Sequence, residues 1–158
     1  MNEEKKSDSR KATKEHQQQV RDYIWAVVKN VIERGDIHDA SKLKEPEKSI
    51  LDEVTPLLRK LVYGSAEYEE QLKEINKMTN HHYKHNSHHP QHHKHGINGM
   101  SLLDLMEMLA DWKSATLRHE NGDILKSLKY NAGLFNITEQ LESILLNTIK
   151  EMGWDKKK

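Results

Sequence analysis

From Val20 to Ile149 the apolar residues return at steps of three and four, and no stretch alternates over a strand's length, so the chain is confined to helices. Val20, Tyr23, Ile24, Val27, Val28 and Val31 predict a helix from about Thr13 to Arg34, with Gly35 as its stop and His16 on its buried stripe. His38 to Leu43 then read as a short helix or turn. Pro46 suits the first turn of a helix reaching about Tyr63 on Ile50, Leu51, Val54, Leu57, Leu58 and Leu61, which Pro56 should kink or divide. Gly64 ends that helix. Ser65 caps the next, which carries Tyr68, Leu72, Ile75 and Met78. Asn86 to Asn98, with Pro90 and Gly96, lacks an apolar period and reads as a loop. Ser101 with Asp104 resembles a capping box opening a helix from Leu102 to His119. Asn121-Gly122 marks a turn, and two helices follow near Ile124–Tyr130 and Thr138–Met152. The expected class is all-α: a single-domain helical bundle over 13–152, between a polar tail at 1–12 and a solvated tail at 153–158.

With 158 residues the chain suits one domain of modest core, and its 35% hydrophobic content is low. Twenty-five basic and 25 acidic residues cancel, which disfavours bulk nucleic acid as a partner. The absence of cysteine excludes disulfides and thiolate zinc sites. The opening residues, MNEEKKSDSRKATKE, lack the apolar stretch of a secretory signal, and no apolar run approaches the ~18 residues that cross a bilayer. A cytoplasmic protein that does not enter membranes is expected.

Against that polar background stands HHYKHNSHHPQHHKH, eight histidines within residues 81–95. Neutral imidazoles with carboxylates are ligands of first-row transition metals. His81, His82 and His85 should end the preceding helix, whereas His92, His93 and His95 read as solvated or weakly metal-binding. Upstream, His38-Asp39 can both reach one ion if the backbone turns there, and Lys42 lies one helical turn on, placed to bind an anion.

Downstream, SLLDLMEMLADW is apolar on nearly every side, which predicts a central, buried helix. Asp104, Glu107 and Asp111 nevertheless share one stripe of it. Carboxylates lined up on a buried stripe repel one another and lose hydration, so a metal, a histidinium or an arginine must face them, and Arg118 extends the same stripe. Leu141, Ile144, Leu145 and Ile149 form a further apolar stripe, read as core before homodimer interface.

The order His, His-Asp, His, His, Asp on successive helices resembles the HD superfamily of metal-dependent phosphohydrolases, whose signature is H…HD…D. HDASK, HNSHH and EMLADW also look like motifs of an uncharacterised HD-like family of phages and bacteria. The resemblance covers about His16 to Trp112. Carried over residue by residue, it implies metal ligands at His16, His38, Asp39, a pair within His82 to His89, and Asp111. His81 competes with His82, and His88 with His89; His82 and His89 are the pair taken. Asp111 is preferred to Asp104 because it is the Asp of ADW.

The resemblance implies one or two divalent transition ions (manganese, iron, cobalt or zinc) and hydrolysis of a nucleotide or other small phosphoester. Lys42 and Glu107 would be catalytic, Glu107 as a base or water-positioning group. Lys42, Arg118 or Lys113, and Asn86 would bind substrate. It leaves as alternatives a di-iron oxygenase with the same ligands and a non-catalytic regulatory protein that binds a metal or ligand. A metal buffer formed by the histidine loop alone is a fourth reading.

Overall fold

The computed structural model describes residues 9–58, 66–117 and 122–156. Among them are six α-helices, α1 (Arg10–Asp36), α2 (Glu47–Leu58), α3 (Ala66–His85), α4 (Leu102–Thr116), α5 (Ile124–Leu134) and α6 (Glu139–Glu151), and no strand. Short 3₁₀ turns span Ala40–Leu43, Pro90–His92 and Gly96–Gly99. The all-α class that the apolar spacing predicts is therefore the class observed. The predicted end of α2 at Gly64, the cap at Ser65 and the turn at Asn121 lie outside the described residues.

The chain forms two compact units that divide after Asp36. The first holds α1, which starts earlier than predicted and runs through Gly35. A glycine costs a helix about 1 kcal/mol relative to alanine but does not forbid helical dihedrals. The stripe expected to be buried is not. Ile24 is 57% and Trp25 63% exposed, and α1, the one described helix of its unit, buries no residue.

The second unit, Ile37–Lys158, holds the core. Leu109 of α4, Ile124, Leu128 and Ala132 of α5, Ile137, and Leu145 and Ile149 of α6 pack together. Trp112 stacks on Phe135 with ring centroids 6.3 Å apart and closes one side. Elsewhere Val54 of α2 and Met78 of α3 are buried, and α2 packs along α3 with Pro56 inside its final turn. The helix α4 is not buried all round as its composition suggests. Met108 and Leu109 are buried, but Leu102 and Met106, one turn apart, face outward. The stripe on α6 is mostly core: Leu145 and Ile149 are buried and Leu141 packs on them, while Ile144 is exposed.

The end of α6 corrects another expectation. Gly153 adopts a positive φ of 64°, Trp154 N–H donates to Ile149 C=O and Gly153 N–H to Lys150 C=O. This is a Schellman termination, and it turns Trp154 back onto the core instead of into a solvated tail. Lys113 Nζ donates to the Trp154 carbonyl at 2.8 Å, a structural bond for a side chain considered for phosphate binding. No helix of the described residues is long and apolar enough to cross a membrane.

Candidate metal centre

Three stretches of the second unit meet at the site. The first is the corner after Asp36, where Asp39 takes a left-handed conformation (φ 56°) before the turn Ala40–Leu43. Asp tolerates this region better than most residues because its short polar side chain bonds locally. The reversal directs the adjacent side chains of His38 and Asp39 to one place. His38 Nε2 lies 3.5 Å from Asp39 Oδ2.

The second stretch is the end of α3 with the loop that follows, which carries His82, His88 and His89. Asn86 Nδ2 donates to the His82 carbonyl and to Ser41 Oγ, each at 2.7 Å, and so closes the helix end against the corner. Asn86, expected to bind substrate, is buried and its amide nitrogen is engaged in this way. Beyond His89, His92 Nδ1 donates to the Tyr83 carbonyl and His93 Nε2 to the Ser87 carbonyl. Both bonds anchor the loop; His92 and His95 are exposed, as expected, whereas His93 is half-buried. A Cβ on Gly99 would stand 2.8 Å from His93 Cβ, so glycine is what lets the strap pass.

The third stretch is α4. Ser101 and Asp104 form the predicted capping box, Ser101 Oγ accepting from Asp104 N–H and Asp104 Oδ2 from Ser101 N–H. Asp104 Oδ1 also accepts from Ser87 Oγ at 2.7 Å, which ties the histidine loop to the helix start. Asp104 is thus buried and structural, while Glu107 and Asp111 further along α4 face the histidines.

These stretches assemble two ligand groups that share a residue. Asp39, His82, His88 and His89 form one; His38, His88 and Asp111 form the other, and within each group the ligand atoms lie within 4.8 Å of one another. His82 Nε2 is 3.2 Å from Asp39 Oδ1 and 2.9 Å from His89 Nε2. His38 Nε2 is 3.6 Å from Asp111 Oδ1. Among the described residues, Asp39 Oδ1 and His88 Nε2 are buried with no hydrogen-bond partner. A buried polar atom without a partner costs about 1–3 kcal/mol. Both orphans belong to a ligand group, one an oxygen and one a nitrogen, so the donor set fits a metal ion.

The charges agree with that fit. The Asp111 carboxylate, opposed by burial and helped by Glu107 and Asp39, raises the His38 pKa to about 9. Burial alone would raise Asp39 and Asp111. The ammonium of Lys42, with the charge of His38 beside it, opposes it at Asp39, and His38 does so at Asp111, so both are held below the usual carboxylate range. Burial lowers the pKa of His88, and lowers that of His89 to about 3, which keeps both neutral and able to ligate.

Of the residues singled out in the sequence, His38, Asp39, His82, His89 and Asp111 come together. His88, which competes with His89 in the sequence, belongs to both groups. His81 instead donates through Nδ1 to Glu47 at 2.7 Å. Lys42 Nζ donates to Asp39 Oδ2 at 2.5 Å, and Glu107 accepts from His38. His16 stands in the first unit with an exposed side chain, and Arg118 lies outside the described residues. The sequence reading missed Glu47, a fully buried carboxylate that accepts from Ser41, His81 and His82. Its position directly after Pro46, in the first turn of a helix, is an ordinary place for a solvated acid.

The model of a family of unknown function, DUF5662, matches residues 5–151. No curated protein and no solved structure matches the chain.

Proposed function

The chain belongs to the family of unknown function DUF5662, and from its own residues we propose that it is a metal-dependent phosphohydrolase acting on a nucleotide or other small phosphoester. The observation that carries this reading is the convergence of His38, Asp39, His82, His88, His89 and Asp111, with Asp39 Oδ1 and His88 Nε2 buried and unpartnered among them. Five of these six, together with His16, are the residues whose order along the chain resembles the HD phosphohydrolases.

Asp39, His82, His88 and His89 would hold one ion, and His38 with Asp111 supplies ligands beside it. Such an ion, when bound, acidifies water toward neutral pH and offsets charge on phosphoryl oxygens. The protein's own part is positioning. Lys42 keeps N–H donors beyond the one it gives Asp39, at the rim of the site where its side chain is 36% exposed. Those donors would hold a non-bridging phosphate oxygen in line for attack by water. The new phosphorus–oxygen bond forms as the ester bond breaks, and the water's proton ends on the departing oxygen.

The test is metal analysis of the wild type and Asp39→Asn, followed by a screen of nucleotides and phosphodiesters with manganese, iron or cobalt added. Phosphate or nucleotide release that vanishes in the variant supports the reading. Bound metal with no release from any compound overturns it in favour of a non-catalytic binding protein. Oxygen-dependent turnover with iron overturns it in favour of an oxygenase.

A further inference from the structure

Three of the site's imidazoles are held from behind by carboxylates. His82 Nδ1 lies 2.9 Å from Glu47 Oε2. His38 Nδ1 lies 2.9 Å and His88 Nδ1 3.0 Å from the same oxygen, Glu107 Oε1. In each ring the opposite nitrogen, Nε2, is the one turned toward the ligand groups: His38 Nε2 toward Asp111, and His82 Nε2 and His88 Nε2 toward Asp39 Oδ1.

We propose that Glu47 and Glu107 are positioning residues that hold the Nδ1 proton of these three histidines, so that the Nε2 lone pairs of His82 and His88, and that of His38 once its second proton has left, converge on the metal. A neutral imidazole carries one proton on one of two nitrogens. A carboxylate only accepts, so it draws that proton to Nδ1 and leaves Nε2 unprotonated. Left to itself, an imidazole would populate both forms, and each ring in the wrong form would have to exchange its proton before ligating. A carboxylate behind a ligating imidazole also raises its basicity and fixes the plane of the ring.

The two acids divide the work. Glu47 is fully buried at the start of α2 and uses both oxygens, Oε1 for His81 and Oε2 for His82 and Ser41. It therefore depends on α2 packing along α3. Glu107 sits one turn before Asp111 on α4 and serves His38, of one ligand group, and His88, which belongs to both. A change at Glu107 is felt by both groups, and a change at Glu47 by one.

The inference rests on the metal reading but has its own measurement. Long-range ¹H–¹⁵N spectra of the metal-free protein report imidazole tautomers without metal or substrate. Nδ1–H forms of His82 and His88 are expected, and Nε2–H forms would overturn the proposal. Cobalt titration followed by visible absorption then compares the wild type with Glu47→Gln and Glu107→Gln. Glutamine has the same shape, but its amide nitrogen can donate to Nδ1 and so permits the wrong tautomer. A loss of cobalt affinity of about 10–100-fold is expected in each variant, with the metal-free melting temperature reported beside it to separate lost affinity from lost fold. Affinities within twofold of wild type in both variants would overturn the proposal. If the wild type and Asp39→Asn take up cobalt equally weakly, the metal reading fails instead, and the tautomer spectra still decide the positioning role.

Discussion

His38 Nε2 stands 3.6 Å from Asp111 Oδ1, although one residue follows the first helix and the other lies on the fourth. In the metal-free protein this approach is a charge pair. Its sign fixes how the site responds to pH. The folded pKa of His38, about 9, lies above its ordinary value of 6.5. The stability that the pair contributes is therefore complete below about pH 6.5 and is lost as pH rises through 9. An NMR titration of His38 in the metal-free protein checks the value, and Asp111→Asn should bring it back toward 6.5. A titration midpoint already at 6.5 in the wild type refutes the charge pair.

The same proton competes with metal. An ion can use His38 Nε2 only after the proton has left, so loading through this ring should release one proton per chain at pH 7–8. Affinity should strengthen about tenfold per pH unit in that range. Calorimetry in buffers of different ionisation enthalpy measures the release. Zero protons at pH 7.5 would show that His38 does not ligate.

His88 belongs to both ligand groups and His89 to one. His88→Ala should therefore abolish stoichiometric metal, whereas His89→Ala should weaken binding and leave a residual occupancy. Equilibrium dialysis followed by elemental analysis distinguishes them, and the reverse ranking would mean that the ligands are misassigned.

Ile149 is fully buried at the centre of the α4–α5–α6 core, away from the ligands. Ile149→Ala should cost about 2–5 kcal/mol in denaturant unfolding while leaving the metal content of the folded protein unchanged. Ser101→Ala removes the cap of α4 and should cost about 1 kcal/mol. Because that cap shares Asp104 with Ser87, it should also loosen the loop that carries His88. Amide exchange at residues 87–93 is the measurement, and unchanged protection would separate the cap from the loop.

The parts of this molecule that repeat were legible in the sequence. Steps of three and four placed Leu145 and Ile149 in the core, and Ser101 with Asp104 marked the start of α4. Chemistry was legible where residue types are rare or adjacent, as at His38-Asp39 and Asp111. What depended on packing was not. A single glutamate after Pro46 carries no sign that α3 will bury it under His82. His88 and His89 are equivalent as letters, and the loop turns both inward. The apolar stripe of α1 predicted a buried face, but periodicity records only that a face is apolar.

The left-handed backbone at Asp39 restricts what can replace it. Only glycine, asparagine and aspartate enter that region readily, and of these aspartate alone is anionic. Drift at this corner thus has two cheap exits, both of which remove a negative charge from the candidate centre while sparing the chain path. Residue 39 is accordingly expected to work as a one-letter diagnostic for relatives: aspartate where the candidate centre is kept, asparagine or glycine where it is lost but the chain still folds.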